Sequence, residues 1–184
     1  MKICVFCSSG NQIAESYKQA TFRFGKNMAE QGHTLVYGGA TGGLMDAIAE
    51  GFTAGMGKII GVIPEIIIHS DRLSNLPTTL IQTADMAERK KRMFEESDVF
   101  VVLPGGYGTL DEMFTIIASG AVGEHQKPLI CVNQDGFFKD LLELIDKMKG
   151  EFFIPKNENY KPIFVNSLSD CERLIDSDKL KLRT

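Results

Sequence analysis

Short runs of β-favouring apolar residues alternate along this chain with longer stretches of helical spacing. Strand-like runs fall at 2–7, 34–37, 59–63, 79–82, 99–103, 128–132 and 163–165. Helical patterns occupy 16–31, 44–54, 86–97, a stretch beginning near Thr109, 137–149 and a stretch beginning at Leu168. A strand followed by a helix and then another strand is a crossover connection, which parallel pairing requires and a hairpin does not. The run VFVVL at 99–103 is apolar at every position, as in a strand covered on both faces. The pattern therefore predicts an α/β chain whose mainly parallel sheet carries helices on both faces. With 184 residues and neither linkers nor repeats, residues 1–184 are expected to form one domain. Local punctuation agrees: Gly32 follows the first helix in the C′ position, Pro64 ends the third strand, and Asp85 and Glu88 have capping-box spacing. The segment 65–78 has no clear period, so it is an irregular connection or a flap.

Three strands run into turns of small residues: Ser8-Ser9-Gly10, then GGATGG at 38–43, then PGGYGT at 104–109. Parallel strands bring all three to one edge of the sheet, the carboxyl edge where such folds bind ligands. Glycine allows close backbone approach, and a helix starting behind it offers free N–H groups and the positive end of a dipole. Together these make a phosphate cradle. Neither GxGxxG nor GxxxxGK[ST] occurs at these turns, so a dinucleotide fingerprint and a P-loop are both missing. A single nucleotide is the simplest guest.

Next to the third turn stand two carboxylates, Asp111 and Glu112. Thr109-Leu110-Asp111-Glu112 fits the T-x-x-E capping box, which would turn Glu112 back onto its own helix start. A phosphate at that start gives Glu112 a different task. One turn inside the helix, its carboxylate reaches the ribose, where it can stabilise an oxocarbenium-like transition state or act as base toward water. In the helix at 86–97, Met86, Arg89, Lys90 and Met93 share a face by i, i+3, i+4 and i+7 spacing. Taken alone, they describe a methionine stripe beside a solvated basic cluster.

Composition narrows the partners. A net charge of −4 does not suggest a duplex nucleic acid. No apolar run approaches the ~20 residues that span a bilayer, and the opening MKICVFCSSG is too short an apolar run for a signal peptide. A cytoplasmic location is expected. Cys4 and Cys7 form a CxxC, yet inside a strand rather than at a helix start, so they read as small buried hydrophobes. His33, His69 and His125 are isolated, without metal-ligand spacing.

The stretches taken together resemble a known family. PGGYGTLDE at 104–112 is similar to the PGGxGTxxE motif of the LOG family, the cytokinin riboside 5′-monophosphate phosphoribohydrolases. MAERKKRM at 86–93 resembles its MxxRKxxM helix. VYGGATGGLM at 36–45 resembles its GGG-x-x-GLM loop, with Ala40 in place of a glycine, and CVFCSSG at 4–10 resembles its opening strand and loop. The resemblance implies a Rossmann-like, doubly wound fold, a homodimer, and hydrolysis of a purine nucleoside 5′-monophosphate to free base and ribose 5-phosphate. It implies no metal and no organic cofactor. Carried over by position, the catalytic pair falls on Arg89 and Glu112. The phosphate cradle falls on Gly105, Gly106, Gly108 and Thr109, faced by Ser8 and Gly39. Met86 and Lys90 are further candidate contacts. The chain departs from the family at Thr115, Ser119 and Ala121, where Glu, Trp and Gln are common, and it has no Trp at all. These departures touch the base-recognising half, so AMP or another purine monophosphate is a safer expectation than a cytokinin nucleotide. Two rivals follow. A non-catalytic nucleotide sensor or carrier would use the same loops. The label lysine decarboxylase, common in this family, would require pyridoxal phosphate on a Schiff-base lysine. No lysine stands beside these loops in that way.

Overall fold

Because each connection crosses over through a helix, every strand runs parallel to its neighbours, in the order β4-β3-β2-β1-β5-β6-β7. The computed structural model describes residues 1–68, 72–177 and 180. In chain order the elements are β1 (Lys2–Phe6), α1 (Glu15–Glu30), β2 (Thr34–Tyr37), α2 (Gly43–Ala54), β3 (Lys58–Pro64) and α3 (Glu65–Ile68). They continue with β4 (Thr79–Thr83), α4 (Met86–Glu95), β5 (Val99–Val102), α5 (Tyr107–Ala121), β6 (Leu129–Val132), α6 (Lys139–Gly150), β7 (Ile163–Val165) and α7 (Leu168–Ile175). This is the parallel α/β sheet with helices on both faces that the alternation predicts, and the doubly wound, Rossmann-like fold that the resemblance implies.

The central strands explain the two-sided burial. In β1, Ile3 and Val5 point to one face while Cys4 and Phe6 point to the other, and both sets are buried. Val99 and Val101 of β5 likewise oppose Phe100 and Val102. The first face is covered by α1, α2 and α7 through Phe24, Met28, Leu44, Ile48, Phe52 and Ile175. The second takes Met93 of α4, Met113 and Ile116 of α5, and Phe138. Cys4 and Cys7 lie in these two layers, and burial pushes both thiols up. They behave as hydrophobes, as their place in a strand suggested.

Strand order reverses between β1 and β5, which pair from Ile3↔Val99 to Phe6↔Val102. The loops leaving these two strands diverge to opposite sides of the sheet, and a crevice opens between them. Leu103 N donates to Phe6 O (2.9 Å) and Ser8 N to Pro104 O (3.3 Å), so pairing continues into the crevice floor.

Two expectations need correction. Helix α5 begins at Tyr107 with Gly106 as its cap, not at Thr109, and no side chain caps it. Thr109-Leu110-Asp111-Glu112 is therefore not a capping box: Thr109 already lies inside the first turn and its side chain is buried. The segment 65–78 is also less irregular than it reads. It opens with the single turn α3, and after the undescribed residues Arg72 to Ser74 lie along the β2 loop. His69 falls outside the described residues. The Gly32 and Asp85 signals appear as real caps. Gly32 N and His33 N close α1 on Ala29 O and Met28 O, and Asp85 Oδ1 accepts from Glu88 N at 2.8 Å.

Helices α1 and α2 approach closely enough that small residues are required between them. A Cβ on Gly51 would collide with the Phe22 carbonyl, and one on Gly25 would lie 2.7 Å from the Ile48 carbonyl. Backbone cannot rotate away as a side chain can. Gly51→Ala is expected to cost about 1–3 kcal/mol despite its better helix propensity. Urea unfolding measures this; a stabilised Gly51→Ala protein would contradict the close approach.

Candidate active site

Between the β1, β2, β3 and β5 loops lies a cavity of about 390 Å³. One wall is the start of α5, where Gly106, Tyr107, Gly108 and Thr109 line the space. The first backbone bond of that helix runs from Leu110 N to Gly106 O at 3.0 Å. The amides before it are left for an outside acceptor, at the positive end of the helix dipole. A Cβ on Gly106 or Gly108 would meet nothing within 4 Å, so glycine keeps this wall bare rather than relieving a clash. Gly105 is different: a Cβ there would strike the Thr109 side chain, which tucks beneath the turn. Gly105 itself lies behind the cavity wall and borders a second, smaller hollow.

One turn into the same helix sits half of a buried ion pair. Arg89 Nη1 donates to Glu112 Oε1 at 2.7 Å, and each residue is 8% exposed. Arg89 Nε donates to the Val62 carbonyl at 3.0 Å, fixing the guanidinium plane. Its Nη2 lies against Gly38, where any Cβ would run into it. The pair joins α4 to α5, and both partners line the cavity. Burial raises the Glu112 carboxyl above its ordinary value, and the Arg89 charge and hydrogen bond only partly offset this. A carboxylate held above its ordinary range is a stronger base than a solvated one.

Of the residues singled out from sequence, Arg89, Glu112, Met86, Ser8, Gly106, Gly108 and Thr109 converge on this cavity. Gly39 does not line it: its φ of 69° turns the chain, and its carbonyl accepts from Ser74 N at 3.0 Å. The neighbouring Gly38 and Ala40 form the wall instead. Lys90 points away from the cavity. Its Nζ holds both oxygens of Asp111 at 3.0 Å and Thr115 Oγ1 at 3.3 Å, a second link between α4 and α5 beside the buried pair. Thr115 and Ser119 line a separate apolar groove of about 290 Å³, which also touches Glu112; Ala121 lines neither space. Sequence reasoning missed Gly38 and Arg72. The doubled glycine left open which one meets the guanidinium, and Arg72 sits in the segment without a period.

Residues 45–175 match a family model described as "Possible lysine decarboxylase". The chain is 38% identical over 166 residues to a probable cytokinin riboside 5′-monophosphate phosphoribohydrolase of Oryza sativa subsp. japonica, covering 90% of this chain and 72% of that protein. It is 37% identical over 153 residues to a cytokinin riboside 5′-monophosphate phosphoribohydrolase of Arabidopsis thaliana, covering 83% of this chain and 70% of the relative. Among solved structures, the molybdenum cofactor binding protein of Rippkaea orientalis shares the fold with a TM-score of 0.70 at 24% identity, over 95% of this chain and 94% of that one.

The raised Glu112 carboxyl ties stability to pH. The folded chain keeps a proton that the unfolded chain releases, so stability falls as pH rises from the ordinary carboxylate range through the folded value. Removing Arg89 enlarges that fall, because nothing then offsets the buried charge. Arg89→Met is expected to lose about 3–5 kcal/mol near pH 8 and clearly less near pH 4. Urea midpoints at the two pH values check this; an equal loss at both would contradict it.

Proposed function

This chain belongs to the family of the cytokinin riboside 5′-monophosphate phosphoribohydrolases, and from that premise we propose that it hydrolyses the N-glycosidic bond of a purine nucleoside 5′-monophosphate. The products are the free base and ribose 5-phosphate. The observation that carries this reading is that the buried Arg89–Glu112 pair and an uncapped helix start line one cavity.

The 5′-phosphate rests on the amides of Gly106 to Thr109, with Ser8 on the opposite side. The sugar then lies toward Glu112. As the bond from C1′ to the base nitrogen lengthens, positive charge develops on the ring, and the Glu112 carboxylate stabilises it. Glu112 also takes a proton from the water that forms the new C1′–O bond. Arg89 holds Glu112 in place and favours its ionised form, and its Nη2 remains to donate a hydrogen bond to the departing base. The base nitrogen gains a proton from solvent as its bond to C1′ breaks, and Glu112 returns to solvent the proton it took from water, so one water is consumed. AMP, or AMP with a substituent on N6, is the substrate. The cavity is lined by two arginines and, among the described residues, no lysine, so it does not fit a Schiff base to pyridoxal phosphate. The proposal includes a homodimer, supported by the exposed apolar side chains Met86 on α4, Phe114 in the middle of α5 and Val122 just past its end, and a cytoplasmic location, supported by four free buried cysteines.

Incubation with AMP should yield adenine and ribose 5-phosphate in equal amounts. Glu112→Gln should lower the rate by at least ~100-fold, the low end for a positioned base. Binding of AMP with no product would instead favour a nucleotide sensor or carrier. The reaction needs Glu112 ionised, so kcat/KM should rise with pH through a limb above the ordinary carboxylate range. Arg89→Lys should move that limb upward, since an ammonium cannot copy the planar contact. A limb that stays in place would remove Arg89 from the tuning of Glu112.

A further inference from the structure

We propose that Arg72 is the residue that selects a 5′-phosphorylated substrate, by meeting the phosphate dianion from the side of the cavity opposite α5. This rests on the function proposed above and concerns the same site.

Arg72 lines the cavity, yet it belongs to none of the glycine turns or helices that build the rest of the wall. It is not on a loose loop. Its carbonyl accepts from Thr41 N at 2.8 Å, Leu73 bridges to Ala40 in antiparallel fashion, and Ser74 N donates to the Gly39 carbonyl at 3.0 Å. This short strap fixes the Arg72 backbone against the β2 loop. The guanidinium has no comparable anchor. Among the described residues it reaches only the Thr41 carbonyl, at 3.5 Å, the outer limit of a hydrogen bond. Arg89, Arg92 and Arg173 each hold a carboxylate, whereas Arg72 has no acidic partner among the described residues.

Charge decides what such a group meets. Among the described residues, the charged ones lining the cavity are Arg72, Arg89 and Glu112. Glu112 and Arg89 neutralise each other, so Arg72 is the uncompensated charge among the described lining residues, and it is positive in a chain whose net charge is −4. The α5 dipole adds to the same sign. A phosphate dianion is the part of a nucleotide that this field favours, and a guanidinium fork matches its oxygens. Ribose and base are neutral and gain little. Arg72 side chain is exposed, so its attraction is screened by salt more than that of a buried group.

The test uses the full chain, as wild type, Arg72→Gln and Arg72→Lys, with ribose 5-phosphate and adenosine as calorimetric probes. Arg72→Gln should weaken ribose 5-phosphate roughly 10–100-fold, as loss of a charge-assisted contact does, and leave adenosine unchanged. Arg72→Lys should recover part of the loss, and the gap should narrow as salt rises. In turnover, KM for AMP should rise by the same factor while kcat stays within about two-fold. Unchanged ribose 5-phosphate binding in Arg72→Gln, no binding by the wild type, or an equal loss for adenosine would each overturn the assignment. The binding measurement stands apart from turnover. A wild type that binds ribose 5-phosphate through Arg72 but never cleaves AMP would remove the hydrolase and keep this residue's role.

Discussion

The Arg89–Glu112 ion pair is the constraint around which the cavity is organised. A carboxylate as buried as Glu112 is costly unless a partner stands beside it, and that partner must come from another element. Arg89 supplies it from α4, across the gap to α5, and is itself held by the Val62 carbonyl at the end of β3. Three elements from both sides of the strand-order reversal thus converge on one guanidinium. The pair is weak evidence for stability, since hydrophobic residues of similar shape would serve as well there. It makes sense as a device that keeps a carboxylate ionised, oriented and shielded from water beside a place where positive charge will develop.

The glycines follow from this pair and from the phosphate wall, and they do different things. Gly38 yields its side-chain space to the guanidinium, and Gly105 yields its own to Thr109. Gly106 and Gly108 yield theirs to nothing in the protein, which leaves the first turn of α5 bare toward the cavity. The outer clasp of Lys90, Asp111 and Thr115 repeats the α4–α5 connection at the surface. Exposed pairs of this kind contribute little energy, so its use is to hold the two helices in register over the buried pair.

Much of this was legible in the residues. Period and burial gave the strands, because a run such as VFVVL admits few other places. The glycine turns marked the correct edge, since parallel strands must deliver them there. Two things were hidden. The helix starting at Tyr107 has no capping side chain, so the T-x-x-E pattern two residues later looked like the start, and Glu112 looked spoken for. The strap at Arg72 is held by backbone hydrogen bonds to the β2 loop, and such pairing leaves no mark on side-chain periodicity. Which of Gly38 and Gly39 meets the guanidinium is equally a matter of three-dimensional contact, visible only once α4 is laid over β3.

The most direct measurement is a crystal structure of the chain with ribose 5-phosphate bound. The account predicts phosphate oxygens accepting hydrogen bonds from the amides between Gly106 and Thr109, with C1′ of the sugar facing the Glu112 carboxylate. A phosphate bound away from that helix start, or a Glu112 side chain that holds Arg89 and never approaches the sugar, would contradict it.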